Sequence, residues 1–396
     1  MILRRCLAVF AVVSLASASS AIACSGTTAS GDGGVDSSTD RMAKDRATPD
    51  ARDAPDAKDA GSDVPCVDGG PEPVLIELSV RTAGPSGASP PLVLVPAFSP
   101  YVHDYYVRCP ASQNSLSVSM TPSCGAEGRF SQPEAHKASP AKQTISQGVR
   151  ENQAIVASAQ RGPTAVEYWV RCLPPDFPDL QLDSHPEAGA PTPGYYLVGN
   201  FESAGAGGGY AMVLNGDGVP VWYYHEGSGG VSDVDQIVDG GISFFPVVGG
   251  PLQVVALAPF QVTRVTPTGF PLDWHELRLL SNGHYLIITH PDLAGVNLTG
   301  LSLPADGGPE PLGPGSNINN CEIVEFAPSA GGGVIWTWKA SDHFDPAKAC
   351  KEPEKWSPLS DGGLVIDTFH CNSIDVDPAN GNLLVSGRQM DSAFYI

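Results

Sequence analysis

Positive charge is the scarcest ingredient of this chain. Lys and Arg together number 22 against 43 Asp and Glu, a net charge of −21 over 396 residues. No run of basic residues forms a patch, so nucleic acid is excluded as a partner. The acidity otherwise implies solubility. The N-terminal apolar run, Leu7 to Leu15, is too short to cross a bilayer. No CxxC pair occurs, which argues against a zinc cluster. No G-x-S-x-G surrounds a serine nucleophile. The glycine-rich run SAGAGGGY at 203–210 lacks the Lys-Ser/Thr ending of a phosphate loop and reads as a loop.

What is present begins with an export signal. Arg4 and Arg5, the short apolar run and the small residues ending Ala21-Ile22-Ala23 read as a signal peptide over 1–23. The junction resembles a bacterial lipobox with Cys24 as the lipid-bearing first residue, and Ser25 after it resembles outer-membrane sorting. The expectation is an exported protein, lipid-anchored to a bacterial membrane, in the periplasm or at the cell surface. Residues 24–72, with the run TPDARDAPDAKDAGSD, carry almost nothing large enough to pack and are expected to form a disordered tether. Nine cysteines in an exported chain imply disulfides. Setting aside Cys6 in the signal and Cys24 on the lipid leaves an odd number. Two internal bridges are expected among Cys66, Cys109, Cys124 and Cys172, and one of Cys321, Cys350 and Cys371 is expected to stay unpaired.

Two β-rich stretches follow. Residues 73–173 alternate VLIELSV, HDYYVRC, SLSVSM, AIVASAQ and VEYWVRC with turns, which predicts a small β-sandwich. Its Pro-Ala-Phe-Ser-Pro turn leading into a tyrosine-bearing strand resembles the cadherin-like repeat of bacterial surface proteins, which implies a spacer without chemistry. The proline-rich stretch 174–194 reads as a semi-extended linker. Over 195–396, YAMVLNGDGVPVWYY, QVTRVTPTGFPL, CEIVEFAPSAGGGVIWTW and NSIDVDPANGNLLVSG repeat strand, turn, strand, which points to a β-propeller. The fold class expected is therefore all-β, a small sandwich followed by an incomplete propeller.

The candidate chemistry lies in that second part. DTFHCNSIDVDPANGNLLVSGRQM sets His370 and Arg388 at the two ends of a predicted hairpin. An imidazole that moves protons and a guanidinium that holds an oxyanion are what sulfuryl or phosphoryl transfer requires. His275, beside Glu276, precedes a strand where propeller blades open toward their channel. His343, between Asp342 and Asp345, reads as a structural turn. His225, His284 and His290 have no pattern around them and read as surface or core residues.

HELRLLSNGHYLII, VIWTWKASDHFDP and FHCNSIDVDPANGNLLVSGRQ together resemble successive motifs of the bacterial arylsulfotransferases. His370, Asn372, Ser373, Ile374 and Arg388 stand in register with that family's His-x-Asn-Ser-Ile and Ser-Ser-Arg pattern, although Gly387 replaces the second serine. The resemblance implies a six-bladed propeller that passes a sulfuryl group from a phenolic sulfate ester to a phenol through a sulfated histidine. It implies no cofactor and no metal. His275 and His370 would be acid-base or sulfate-orienting residues, with Arg388 on the sulfate oxygens. All three are both catalytic and substrate-binding in this reading. The family's nucleophilic histidine lies about two blades further along, so the chain is expected to be an incomplete gene product that lacks it. A homodimer is compatible with the sequence. The alternative expectation is a non-catalytic, surface-tethered propeller that binds a glycan or a protein.

Overall fold

Alternation builds the first half. Along Ser115–Pro122 the residues Leu116, Val118 and Met120 are fully buried, while the residues between them face outward, as the two-residue period of a strand dictates. The computed structural model describes residues 70–396 apart from 85–88, 111–113, 184, 191, 202–207, 228, 238–239, 248–249, 267–269, 271–272, 329–332 and 359–362. The signal peptide, Cys24, Cys66 and nearly all of the tether lie outside the described residues.

Two four-stranded sheets form the sandwich. One pairs Pro91–Leu92, Leu75–Thr82, Ser115–Pro122 and Gln143–Gly148 in that order. The other pairs Asp104–Arg108, Thr164–Leu173, Ala154–Arg161 and Glu127–Gln132. Leu75, Val80, Tyr105, Phe130, Ile155 and Tyr168 fill the space between them. Burying side chains of this size contributes about 1.5–3 kcal/mol each. The Tyr168 hydroxyl accepts from the Leu75 N–H at 3.1 Å and donates to the Pro100 carbonyl at 2.7 Å, so its burial leaves no orphan group. Cys109 is bonded to Cys172, and Cys124 is also disulfide-bonded.

The connector is a packed joint over its first half. Phe177 is buried, its ring 4.7 Å from Tyr210 and 5.3 Å from Tyr223, in one cluster with Tyr106 and Leu173 of the sandwich. Arg108 grips the connector backbone, with Nη1 donating to the Phe177 carbonyl at 2.5 Å and Nη2 to the Pro178 carbonyl at 2.9 Å. Asn152, at φ 57°, donates to the Tyr223 carbonyl and accepts from the Tyr223 N–H, taking the place of a paired strand residue.

Four antiparallel meanders follow, the order expected of propeller blades. The first is Tyr196–Gly199, Tyr210–Leu214 and Pro220–His225. The second is Val231–Gln236, Ile242–Pro246, Leu252–Leu257 and Phe260–Val265. The third is Leu277–Leu279, Tyr285–Thr289, Glu322–Ala327 and Gly333–Lys339, and the fourth Cys371–Val376, Leu383–Gly387 and Ser392–Tyr395. The protein is thus an all-β sandwich followed by a partial propeller. A further four-stranded sheet departs from that plan. Asp292–Val296 and Ser316–Asn319, inserted within the third blade, pair with Leu364–Asp367 and Glu354–Pro358, which come after it. The Ser316–Asn319 and Leu364–Asp367 strands run parallel. Ile288, Ile318, Ile323, Ile366, Phe369 and Ile374 join the third blade, the inserted sheet and the fourth blade in one core. The Cys321–Cys371 disulfide lies inside it, and among the described residues Cys350 is free and buried. Among the described residues no helix is long and apolar enough to cross a membrane.

Candidate active site

Short-range turns position the histidines. Asp273 accepts from the backbone N–H of His275 at 2.9 Å and from its Nδ1 at 2.5 Å, an Asx turn that also holds the ring just before Leu277–Leu279. Asp367 closes Leu364–Asp367 and accepts a hydrogen bond from Nδ1 of His370. His370 sits at φ 45°, a left-handed conformation uncommon for a side chain with a Cβ, and there it turns the chain from the inserted sheet into the fourth blade. Its carbonyl accepts from the Arg388 N–H at 3.0 Å, so the hairpin does bring the backbones of these two residues together.

The three elements converge on one cluster of rings. His275 and His370 lie 5.0 Å apart between ring centroids, edge to face. His290, which follows Tyr285–Thr289, is 6.2 Å from His275 and 5.9 Å from His370. The Trp356 indole stands edge-on to His290 at 5.9 Å and to His370 at 5.4 Å. With its amide turned to satisfy both neighbours, Asn319 donates to the His290 carbonyl at 2.7 Å and accepts from Trp356 Nε1 at 2.9 Å.

Two histidines therefore share one chemical state. Each has Nδ1 on a buried carboxylate, which leaves Nε2 as the atom that can give or take a proton. Burial alone would raise the Asp273 pKa. The hydrogen bond from His275 and the close approach of His290 Nδ1 at 3.1 Å outweigh it and hold the carboxyl well below the usual range.

Arg388 is brought near in backbone but not in side chain. Its guanidinium is half-exposed and pairs with Glu354 at 3.0 Å. Gln389 donates to Glu354 at 2.9 Å and lies 3.4 Å from Asp367, so Arg388 reaches His370 only through that chain of groups. His343 stacks on Trp338 at 5.0 Å, away from the cluster, as a turn residue would. His284 pairs with Glu325, and His225 stacks on Tyr210. His290, read from sequence as an unpatterned core or surface residue, is instead the third member of the cluster. Asp273, Asp367 and Trp356 were not singled out either. The sequence signal for the two acids was an Asp two residues before His275 and three before His370.

Among the described residues no group of three or more His, Cys, Asp or Glu side chains is placed to hold a metal ion. What the geometry defines is a cluster of carboxylate-oriented imidazoles between propeller blades, suited to proton transfer around a small anion. The family model described as Arylsulfotransferase (ASST) matches residues 310–396, the segment that holds His370 and Arg388. No curated protein matches. Among solved structures, a quinonprotein alcohol dehydrogenase-like protein from Bacteroides thetaiotaomicron is 10% identical, with a TM-score of 0.16, over 74% of this chain and 91% of that one. A superposition so loose bears on neither fold nor chemistry.

Proposed function

We propose that this protein is an exported, lipid-anchored arylsulfotransferase that moves a sulfuryl group from a phenolic sulfate ester to a phenol. The observation that carries the reading is the pairing of His275 with His370 at 5.0 Å, each with Nδ1 held by a carboxylate. In the first half-reaction the donor's S–O bond breaks as an S–N bond to a histidine forms, and the leaving phenolate takes a proton from an imidazolium. The second half reverses these steps on the acceptor phenol. His275 and His370 supply the protons and orient the sulfate. The accepting imidazole belongs, by the resemblance, to a histidine other than these two. Arg388 would leave Glu354 to bind sulfate oxygens, an inexpensive exchange because an exposed ion pair contributes only about 0–1 kcal/mol. The two disulfides with both partners described fit an oxidising, exported setting.

Release of nitrophenolate from 4-nitrophenyl sulfate, with phenol added, tests this in a full-length version that carries the accepting histidine. His370→Ala is expected to slow it by about 10² to 10³, the scale of losing one donor to developing charge. Arg388→Ala is expected to raise KM more than it lowers kcat. No release at all, or release indifferent to His370→Ala, sinks the proposal.

A further inference from the structure

His290 is buried, with a side chain only 7% exposed, yet neither of its ring nitrogens has an aligned hydrogen-bond partner. A hydrocarbon ring of that size would fill the same space without leaving polar groups unpaired, each of which costs about 1–3 kcal/mol. Packing therefore does not explain a histidine here.

Its surroundings do. Asp273 is itself buried and ionised, and a buried carboxylate needs partners on both oxygens. Oδ1 takes the backbone N–H and the ring of His275. Oδ2 faces His290 Nδ1 at 3.1 Å, an ion-pair distance that a small rotation of the ring turns into a hydrogen bond. The other groups against His290 are the His275 and His370 rings, the Trp356 indole and Asn319 on its carbonyl. Among the described residues none of these groups meets Asp273 Oδ2, which His290 faces.

We propose that His290 is a positioning residue of this site, holding the second oxygen of Asp273 so that Asp273 in turn fixes His275 with its Nε2 presented to the substrate. The role rests on reading the site as a sulfuryl-transfer centre, and its mechanical part can be tested without turnover. Asp273 shared between two imidazoles cannot swing. Without His290 its free oxygen either takes a proton or seeks another donor, and His275 loses the acceptor that sets its tautomer.

The test uses a full-length version, carrying the accepting histidine, labelled with ¹⁵N-histidine. The tightly held Nδ1–H of His275 should give a downfield imidazole proton resonance, assigned by its loss in His275→Phe. His290→Leu is expected to broaden or abolish that resonance and to slow 4-nitrophenyl sulfate turnover by about 10 to 100-fold. His290→Asn, whose amide nitrogen replaces Nδ1, should keep both. His290→Gln, whose amide nitrogen replaces Nε2, should behave like the leucine variant, and the Asn/Gln pair decides the matter if His290→Leu does not fold. A folded His290→Leu protein with the resonance and turnover of the wild type overturns the proposal, as do Asn and Gln variants that behave alike. Wild-type protein with the resonance but no turnover removes the proposed function while the comparison still decides the role of His290.

Discussion

Carboxyl groups close to the site stand in opposite protonation states; burial raises all of them, and the partners set against it decide which stay ionised. Asp273 gains two imidazoles and stays ionised. Asp233 has its Oδ2 on the Leu277 N–H, but burial and then the charge of Glu276 push it up to about 8. Glu276 accepts from the Ile374 N–H and lies 3.2 Å from Arg278 Nε, yet burial still pushes it up to about 7. The sign for stability follows. An unfolded carboxyl releases its proton near pH 4, so above that the folded state binds more protons than the unfolded one, and stability falls as pH rises. From these two groups the loss runs from about pH 4 until they ionise, near 7 for Glu276 and 8 for Asp233. Thermal melts at pH 5 and pH 8 should show a midpoint lower by several degrees at the higher pH, and Asp233→Asn should flatten that difference. A midpoint that rises over this interval contradicts the assignment. At this scale His275 and His370 were legible because motifs surround them. His290 was not, since a strand end followed by Pro291 gives no hint of which rings meet across the blades.

At the scale of the element, the hairpin from Cys371 to Gly387 and its disulfide hold His370. Ser373 and Ser386 hydroxyls meet at 2.6 Å across it, and Ser386 donates to Asn372, so the register is locked on the side-chain face as well as along the backbone. The departure from the family pattern at Gly387 has a local cause. A Cβ there would come within 2.9 Å of Met390 Sδ and 3.3 Å of the Phe369 carbonyl, so a serine requires Met390 to move. Cys371 follows His370 directly and is tied to Cys321 across 50 residues of chain. Cutting that link with the double substitution Cys321→Ala and Cys371→Ala is expected to lower stability by about 2–4 kcal/mol, read by denaturant unfolding. It should also loosen the left-handed turn at His370, seen as faster hydrogen exchange at the Arg388 amide. The strands of this hairpin were readable from their alternating residues and the DPANG turn. The inserted sheet was not, because its parallel pair joins Asn317 to Val365 and no local pattern encodes a partner so distant.

At the scale of the whole molecule, the sandwich and the first blade share a wall. The cluster of Tyr106, Leu173, Phe177, Tyr210 and Tyr223 lies half on each side, and Arg108 and Asn152 fasten it with hydrogen bonds to main-chain groups. The sequence marks the proline-rich stretch by its composition, but proline content says only that helix and central strand are disfavoured there. It does not say whether the segment swings or docks, which depends on Phe177 finding two tyrosines far away in sequence. Arg108→Ala is expected to cost about 1–3 kcal/mol, since it removes a charged donor from two part-buried carbonyls. Limited proteolysis should then cut the connector faster, while sandwich residues such as Ile155 keep their exchange protection.

That shared wall also gives the chain an order of assembly. Synthesis delivers the sandwich first, and its strands complete a closed core before the blades emerge. Tyr106, Leu173 and the side chain of Asn152 then stand ready as a surface against which the first blade can condense, with the unpaired edge at Tyr223 met by a waiting carboxamide instead of by another strand. The sandwich is in that sense a template, and blades produced without it would begin with an aromatic face bare to water.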